Sequence, residues 1–208
     1  MKLSHFSLAL LTTFFISCGD NTESSPLVEI TSININQSNI SLYSTDINIP
    51  LTAHATYTDA TLRDVSSKVS WTSSDIYKLV TTLSKDAILI TPTINGSDLN
   101  ITIDYKETFT DTQNIHIKEL ISLNYSDINI SDVGTPQTIY ITGNFENNET
   151  NVSLLGNLFW TVDTNATITE TNSSQITLTI DQNTSSVLLS GRLFPDTESE
   201  VDFNNTFY

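Results

Sequence analysis

Apolar side chains recur at every second position from residue 47: Ile47, Ile49, Leu51, Ala53, Ala55 and Tyr57 alternate with polar residues. A period of two places them all on one face of a half-buried extended strand. The same alternation returns at Leu99, Ile101, Ile103 and Tyr105, and again at Ile176, Leu178 and Ile180. Clusters of Asn, Asp, Ser and Gly separate these runs, and no amphipathic helical period follows the N-terminal segment. Many short strands joined by polar turns predict an all-β sandwich or barrel.

An internal repeat narrows this further. Ile40-Ser41-Leu42 corresponds to Ile128-Asn129-Ile130, and Tyr57 to Phe145, at an offset of 88 residues. Thr61 and Trp71 correspond to Thr150 and Trp160 at an offset of 89, so one residue is added in the intervening turn. Two units of about 90 residues follow, each close to the size of an immunoglobulin-like sandwich. The boundary falls near Lys118 and Glu119, giving units over 28–118 and 119–208. Trp71 and Trp160 end alternating runs, with Val69 and Leu158 on the same inward side. Trp71, Trp160, Tyr57 and Phe145 are therefore the expected structural core residues. Truncation of Trp71 or Trp160 to Ala is expected to cost about 3–5 kcal/mol.

Charge excludes some partners. The 208 residues hold 8 Lys and Arg against 24 Asp and Glu, a formal charge of −16. Such a surface repels phosphate backbones, so no nucleic-acid partner is expected. A single cysteine rules out an intrachain disulfide, so each sandwich must hold itself together by packing alone.

That cysteine sits at the end of an N-terminal address. Lys2 precedes an apolar run from Phe6 to Ile16, shorter than the ~20 residues that span a bilayer. The run ends in Phe15-Ile16-Ser17-Cys18. This resembles a bacterial lipoprotein signal peptide with its lipobox, with Phe15 where the pattern favours Leu. The resemblance implies a signal peptide over 1–17, cleavage before Cys18, and lipid (palmitate-type acyl chains) on that thiol. Two or more chains would give a stable membrane anchor. Residues 18–27 then read as the lipidated cysteine and a polar tether. Gly19, a non-Asp residue after the cysteine, implies the outer membrane by the enterobacterial sorting rule, with surface or periplasmic exposure left open.

The segment AHATYTDATLRDVSSKVSWTSSD, residues 53–75, resembles the bacterial Ig-like domains of group 2. In that family a strand, an Asp-Gly-like turn and a Trp-bearing strand ending in Ser-Ser-Asp follow one another. Here Ala60 stands where the turn glycine is usual. Gly96 to Tyr105 resembles a later strand of the same family. The second unit keeps Phe145, Thr150 and Trp160 but reads Thr161-Val162-Asp163 where Ser-Ser-Asp would stand, and is a diverged Ig-like sandwich. The resemblance implies spacer or adhesive modules on a cell surface.

Residues suited to chemistry are few. His54 and His116 are far apart and lack a His-x-x-x-His spacing, so both are read as surface histidines. No nucleophile elbow or phosphate-binding loop occurs. No catalytic residue, metal ligand or cofactor is expected besides the lipid on Cys18. Glu119, Asp127 and Asp132 are grouped near the domain junction, where oxygen ligands could bind calcium weakly; the plain reading is a solvated acidic surface. Asn-x-Ser/Thr triplets at Asn36, Asn100, Asn129 and Asn165 follow from an Asn- and Thr-rich composition. The expectation is a non-enzymatic, lipid-anchored envelope protein of two Ig-like sandwiches, acting as spacer, adhesion or protein-interaction units. The alternative is a binding lipoprotein whose second sandwich recognises a glycan or a protein.

Overall fold

The computed structural model describes residues 27–208; the signal-peptide reading, Cys18 and most of the tether lie outside the described residues. Ten strands form the first sandwich: β1 (Ile30–Ile35), β2 (Ile40–Tyr43), β3 (Ile49–Leu51), β4 (Ala53–Tyr57), β5 (Leu62–Asp64), β6 (Ser70–Ser73), β7 (Leu79–Leu83), β8 (Ile88–Pro92), β9 (Ser97–Tyr105) and β10 (Phe109–Lys118). One layer runs β1-β4-β5 with β3-β8-β7, and the other runs β2-β10-β9-β6. The long alternating run is divided at Thr52: β3 pairs with β8, β4 pairs with β1, and Ile47 lies outside the strand. β2 lies parallel to β10; the remaining neighbours in this sandwich are antiparallel.

The second sandwich repeats the plan. Its strands are β11 (Leu120–Tyr125), β12 (Pro136–Phe145), β13 (Glu149–Ser153), β14 (Leu158–Val162), β15 (Ala166–Thr171), β16 (Gln175–Ile180), β17 (Val187–Leu193) and β18 (Val201–Phe207). One layer is β11-β12-β16-β15 with β13 on β12, and the other is β14-β17-β18. The repeat seen in the sequence therefore corresponds to equivalent strands. β6 and β14 are edge strands, and Trp71 faces Ile103 in its ladder as Trp160 faces Gly191. Both units are Ig-like β-sandwiches in which alternating side chains from two layers meet.

Each sandwich has its own core. In the first, Ile33, Ala53, Ala55 and Ile90 of one layer meet Ile101, Ile103, Ile115 and Ile117 of the other, and all eight are buried. In the second, Ile139, Ile141, Ile176 and Leu178 meet Val187, Leu189 and Leu193, again buried. Phe145 is buried, whereas Tyr57, Trp71 and Trp160 pack against the cores while remaining partly exposed. The tryptophans are thus less enclosed than the sequence expectation of buried core residues. The reason is polar: each indole N–H must reach an acceptor, Ser66 O at 3.0 Å for Trp71 and Asn172 O at 3.1 Å for Trp160, which draws the ring to the flank of the sandwich. The ~3–5 kcal/mol cost of full truncation is then an upper limit for both.

The segment that carried the family resemblance is held by its own polar residues. Asp64 accepts the Ser66 N–H at 2.8 Å, which holds the Asp64 carboxyl below its ordinary value. Ser66, fully buried, accepts the Ala53 N–H on its hydroxyl at 2.8 Å. Its carbonyl takes the Trp71 indole. Ser73 and Asp75 close the turn after β6, where Asp75 accepts the Tyr77 N–H at 3.0 Å. Ala60 adopts φ +62° in the β4–β5 turn, the left-handed region that favours glycine.

In the second unit Ile128 and Ile130 pack on the core but lie in no strand, unlike their counterparts in β2. Side chains satisfy the backbone there in place of a ladder. Gln137 Oε1 accepts the Asn129 N–H, Gln137 Nε2 donates to the Asn129 carbonyl, both at 2.7 Å, and Asn129 Oδ1 accepts the Ser131 N–H.

Two substitutions test these contacts by chemical denaturation. Ala60→Gly should stabilise the protein by about 1 kcal/mol, by relieving a left-handed L-residue. Gly191→Ala should destabilise by about 1–3 kcal/mol, because a Cβ there would lie 2.3 Å from the Trp160 ring.

Candidate functional site at the junction of the sandwiches

β10 ends at Lys118 and β11 begins at Leu120, so one residue, Glu119, joins the sandwiches. A connection this short brings their facing ends into contact. Asn95 clamps the first residue of the second sandwich, accepting the Leu120 N–H at 2.7 Å and donating to its carbonyl at 3.1 Å. The Glu146 N–H donates to the Glu119 carbonyl at 3.0 Å, and the Ser44 N–H to the Lys118 carbonyl at 3.2 Å. Gly156 lies against the Ile47 side chain, with no room for a Cβ.

An aromatic contact and a charge network cross this junction. The Tyr43 ring packs on Phe145 at 4.6 Å between centroids. The Tyr43 hydroxyl donates to Glu149 at 2.7 Å, and the Lys118 ammonium bonds the other oxygen of the same carboxylate. Lys118 Nζ also stands 4.8 Å over the Tyr43 ring, so a cation lies between an aromatic face of one sandwich and a carboxylate of the other. The Lys118 bond, followed by that from Tyr43, holds the Glu149 carboxyl below its ordinary value. The Tyr43 hydroxyl is pushed up chiefly by its bond to the Glu149 carboxylate. Asp46, buried at 6% exposure, accepts the Tyr43 N–H at 2.8 Å, and its pKa is raised by burial.

His116 is the other cross-junction group. On β10, its Nδ1 bonds Asp98 of β9 at 2.8 Å and its Nε2 bonds Glu146, in the 3-10 turn Glu146–Asn148 of the second sandwich. The Asp98 bond, aided by Glu146 and opposed by partial burial, raises its pKa. This corrects the reading of His116 as a free surface histidine. With both ring nitrogens on carboxylates, neither is available to take a proton from a substrate. The arrangement suits a structural clamp between two bodies.

His54 lies opposite Asp64 in the β4–β5 ladder, its Nδ1 enclosed without a hydrogen-bond partner among the described residues. Glu119, Asp127 and Asp132 do not come together, contrary to the grouping expected from sequence. Glu119 lies beside Leu120, which pairs with Phe145, whereas Asp132 precedes Val133, which bridges Ile180. Those positions are near opposite ends of β12, whose ten residues span about 30 Å. Among the described residues no group of three or more His, Asp or Glu is placed to hold a metal ion. Tyr57 carries the Arg63 guanidinium 4.3 Å over its ring. Tyr125 stands edge-on to Trp160 and to Phe207, each at 6.3 Å. Its hydroxyl is enclosed without a partner, and burial pushes its pKa up to about 12.

Sequence reasoning named Phe145 as a core residue but not as a junction residue. It missed Tyr43, Asn95 and Glu149. Lys118 and Glu119 were visible only as the boundary. Tyr43 and Glu149 are 106 residues apart, and no local periodicity encodes a contact of that range.

No protein-family model matches the sequence, and no curated protein matches it significantly. Several solved structures align with it at low identity and low TM-score. The Escherichia coli adhesin FdeC is 14% identical with a TM-score of 0.36, covering 85% of this chain and 62% of that one. The Yersinia pseudotuberculosis adhesin InvE is 15% identical with a TM-score of 0.31, over 86% and 60%. A protocadherin gammaB7 EC3-6 structure is 8% identical with a TM-score of 0.31, over 85% and 47%. This chain thus spans less than two thirds of each of them.

The raised pKa of His116 carries a signed prediction. Its contribution is fully present below the unfolded value of ~6.5 and is lost as pH rises through the folded value. Comparing the thermal midpoint of the protein with that of His116→Gln should give the largest difference between pH 5 and 6.5. The difference should shrink as pH is raised further. A difference that fails to shrink as pH rises through the folded value would remove the clamp.

Proposed function

We propose that this chain is a non-enzymatic, lipid-anchored cell-envelope protein whose two Ig-like sandwiches act as a short, stiff adhesion or protein-interaction unit. The observation that carries this reading is the junction, where a one-residue connection and side-chain bonds from both units hold two sandwiches as one body. A stiff body presents the surfaces of both sandwiches in one fixed mutual orientation, which lowers the ordering cost of binding. End to end, two sandwiches reach about 80 Å, taking about twelve residues of strand per unit. The lipobox-like Phe15-Ile16-Ser17-Cys18 supplies the anchor in this reading, on the outer membrane. The group 2 Ig-like resemblance around Trp71 supplies the surface role.

One observation favours the second sandwich as the binding unit. Phe159 is 56% exposed on β14, whereas Ser70 holds the equivalent place on β6. An exposed aromatic where the other unit is polar suits recognition of a protein or glycan.

Cys18→Ser should release the protein from the membrane fraction into the soluble fraction. Retention in the membrane would contradict the anchor. Protease added to intact cells, then to cells with a permeabilised outer membrane, separates surface from periplasmic exposure. Degradation on intact cells favours adhesion; survival until permeabilisation favours an interaction role inside the envelope.

A further inference from the structure

Charge is unevenly divided between the sandwiches. Residues 27–118 carry ten acids and six cations, while residues 119–208 carry twelve acids and one cation, Arg192. Four of those twelve, Asp196, Glu198, Glu200 and Asp202, fall in and beside the β17–β18 hairpin. This hairpin faces the first sandwich across a groove lined by Tyr77 and Thr93 on one side and Thr197, Glu198 and Ser199 on the other.

Both walls are held in place. The Thr93 hydroxyl donates to the Tyr77 carbonyl at 2.6 Å, and Asp75 accepts the Tyr77 N–H at 3.0 Å. Across the groove, the Thr197 hydroxyl donates to the Phe194 carbonyl at 2.7 Å, and Glu200 accepts the Asp196 N–H at 2.6 Å. Glu200 also lies 3.7 Å from Arg192, and Lys78 is drawn to Asp75 at 3.6 Å. The nearby cations therefore have carboxylates of their own. Glu198 makes neither an ion pair nor a side-chain hydrogen bond among the described residues, and Tyr77 is 84% exposed.

The junction itself supplies the precedent. There Lys118 sits between the Tyr43 ring of the first sandwich and the Glu149 carboxylate of the second. Tyr57 and Tyr105 likewise carry Arg63 and Lys106 over their rings. Tyr77 and Glu198 line one groove, a ring from one sandwich and a carboxylate from the other, and among the described residues no cation lies over the Tyr77 ring or pairs with Glu198.

We propose that this groove receives an arginine side chain from a basic segment of a partner protein, the guanidinium lying on the Tyr77 ring and bonding the Glu198 carboxylate. A planar, weakly hydrated guanidinium can stack and fork at once, and the acidic second sandwich attracts a basic segment from a distance. The inference rests on the protein-interaction reading above and names the chemistry of its partner.

The test is a titration of the full chain, kept in detergent, with acetyl-Gly-Arg-Gly-amide, followed by amide NMR shifts and calorimetry. Shifts should concentrate at Tyr77 and Thr197–Ser199. Tyr77→Ser and Glu198→Gln should each weaken binding by ~2–5-fold, and the double variant by less than the product of the two. Asp127→Asn, far from the groove, should leave affinity unchanged. Both Tyr77 and Glu198 are exposed, so the variants should keep the fold, which the spectra also report. Absence of shifts at the groove, or shifts spread evenly over acidic residues with affinity unaltered in both variants, would overturn the proposal. Either result leaves the Cys18→Ser fractionation and protease accessibility unchanged, so the groove can fail while the envelope-interaction reading stands.

Discussion

A single residue between β10 and β11 leaves the chain no slack, and most of what is distinctive in this molecule follows from that. With only Glu119 joining them, the facing ends of the two sandwiches are held close, so the loops there must accommodate each other. Backbone groups that would be left bare at the end of a sheet are taken up across the contact, as when Asn95 bonds both the N–H and the carbonyl of Leu120. Carboxylates of the second sandwich lie among the cationic side chains at the end of the first. Glu149 meets Lys118 and Glu146 meets His116. Since these pairs are partly exposed, each contributes little by itself. Their effect lies in geometry, because side chains from two bodies with a one-residue connection fix an orientation that a longer linker would leave free.

The cores explain why the sandwiches can bear such a contact without a disulfide. Isoleucine and leucine from opposing layers are almost wholly enclosed in both units, and close packing of β-branched side chains on a pleated surface suits this fold. The tryptophans are better understood as flank residues than as core residues. Each one lies on an edge strand, and its indole N–H closes a neighbouring loop. The structural weight of Trp160 also depends on Gly191, which leaves room for the ring.

Much of the fold was legible in the sequence, because its signals are local or periodic. Alternation gave the strands, the repeat matched Trp71 to Trp160 on equivalent strands, and Ala60 in place of a turn glycine marked a position of positive φ. The repeat failed at Ile128 to Ile130, where Gln137 and Asn129 side chains replace the ladder that β2 makes. It also failed to show the junction. Tyr43, Lys118 and Glu149 meet only after both sandwiches have closed, and their spacing has no period to detect. His116 was misread for the same reason, since a polar residue on an outer face looks alike whether it meets solvent or a second body.

The central claim is that the two sandwiches move as one body. Residual dipolar couplings of backbone amides test it most directly, since each sandwich reports its own alignment. A rigid junction predicts one alignment tensor that fits couplings from β1–β10 and β11–β18 together. Two tensors of clearly different magnitude or orientation would contradict it, and the junction would then be a hinge.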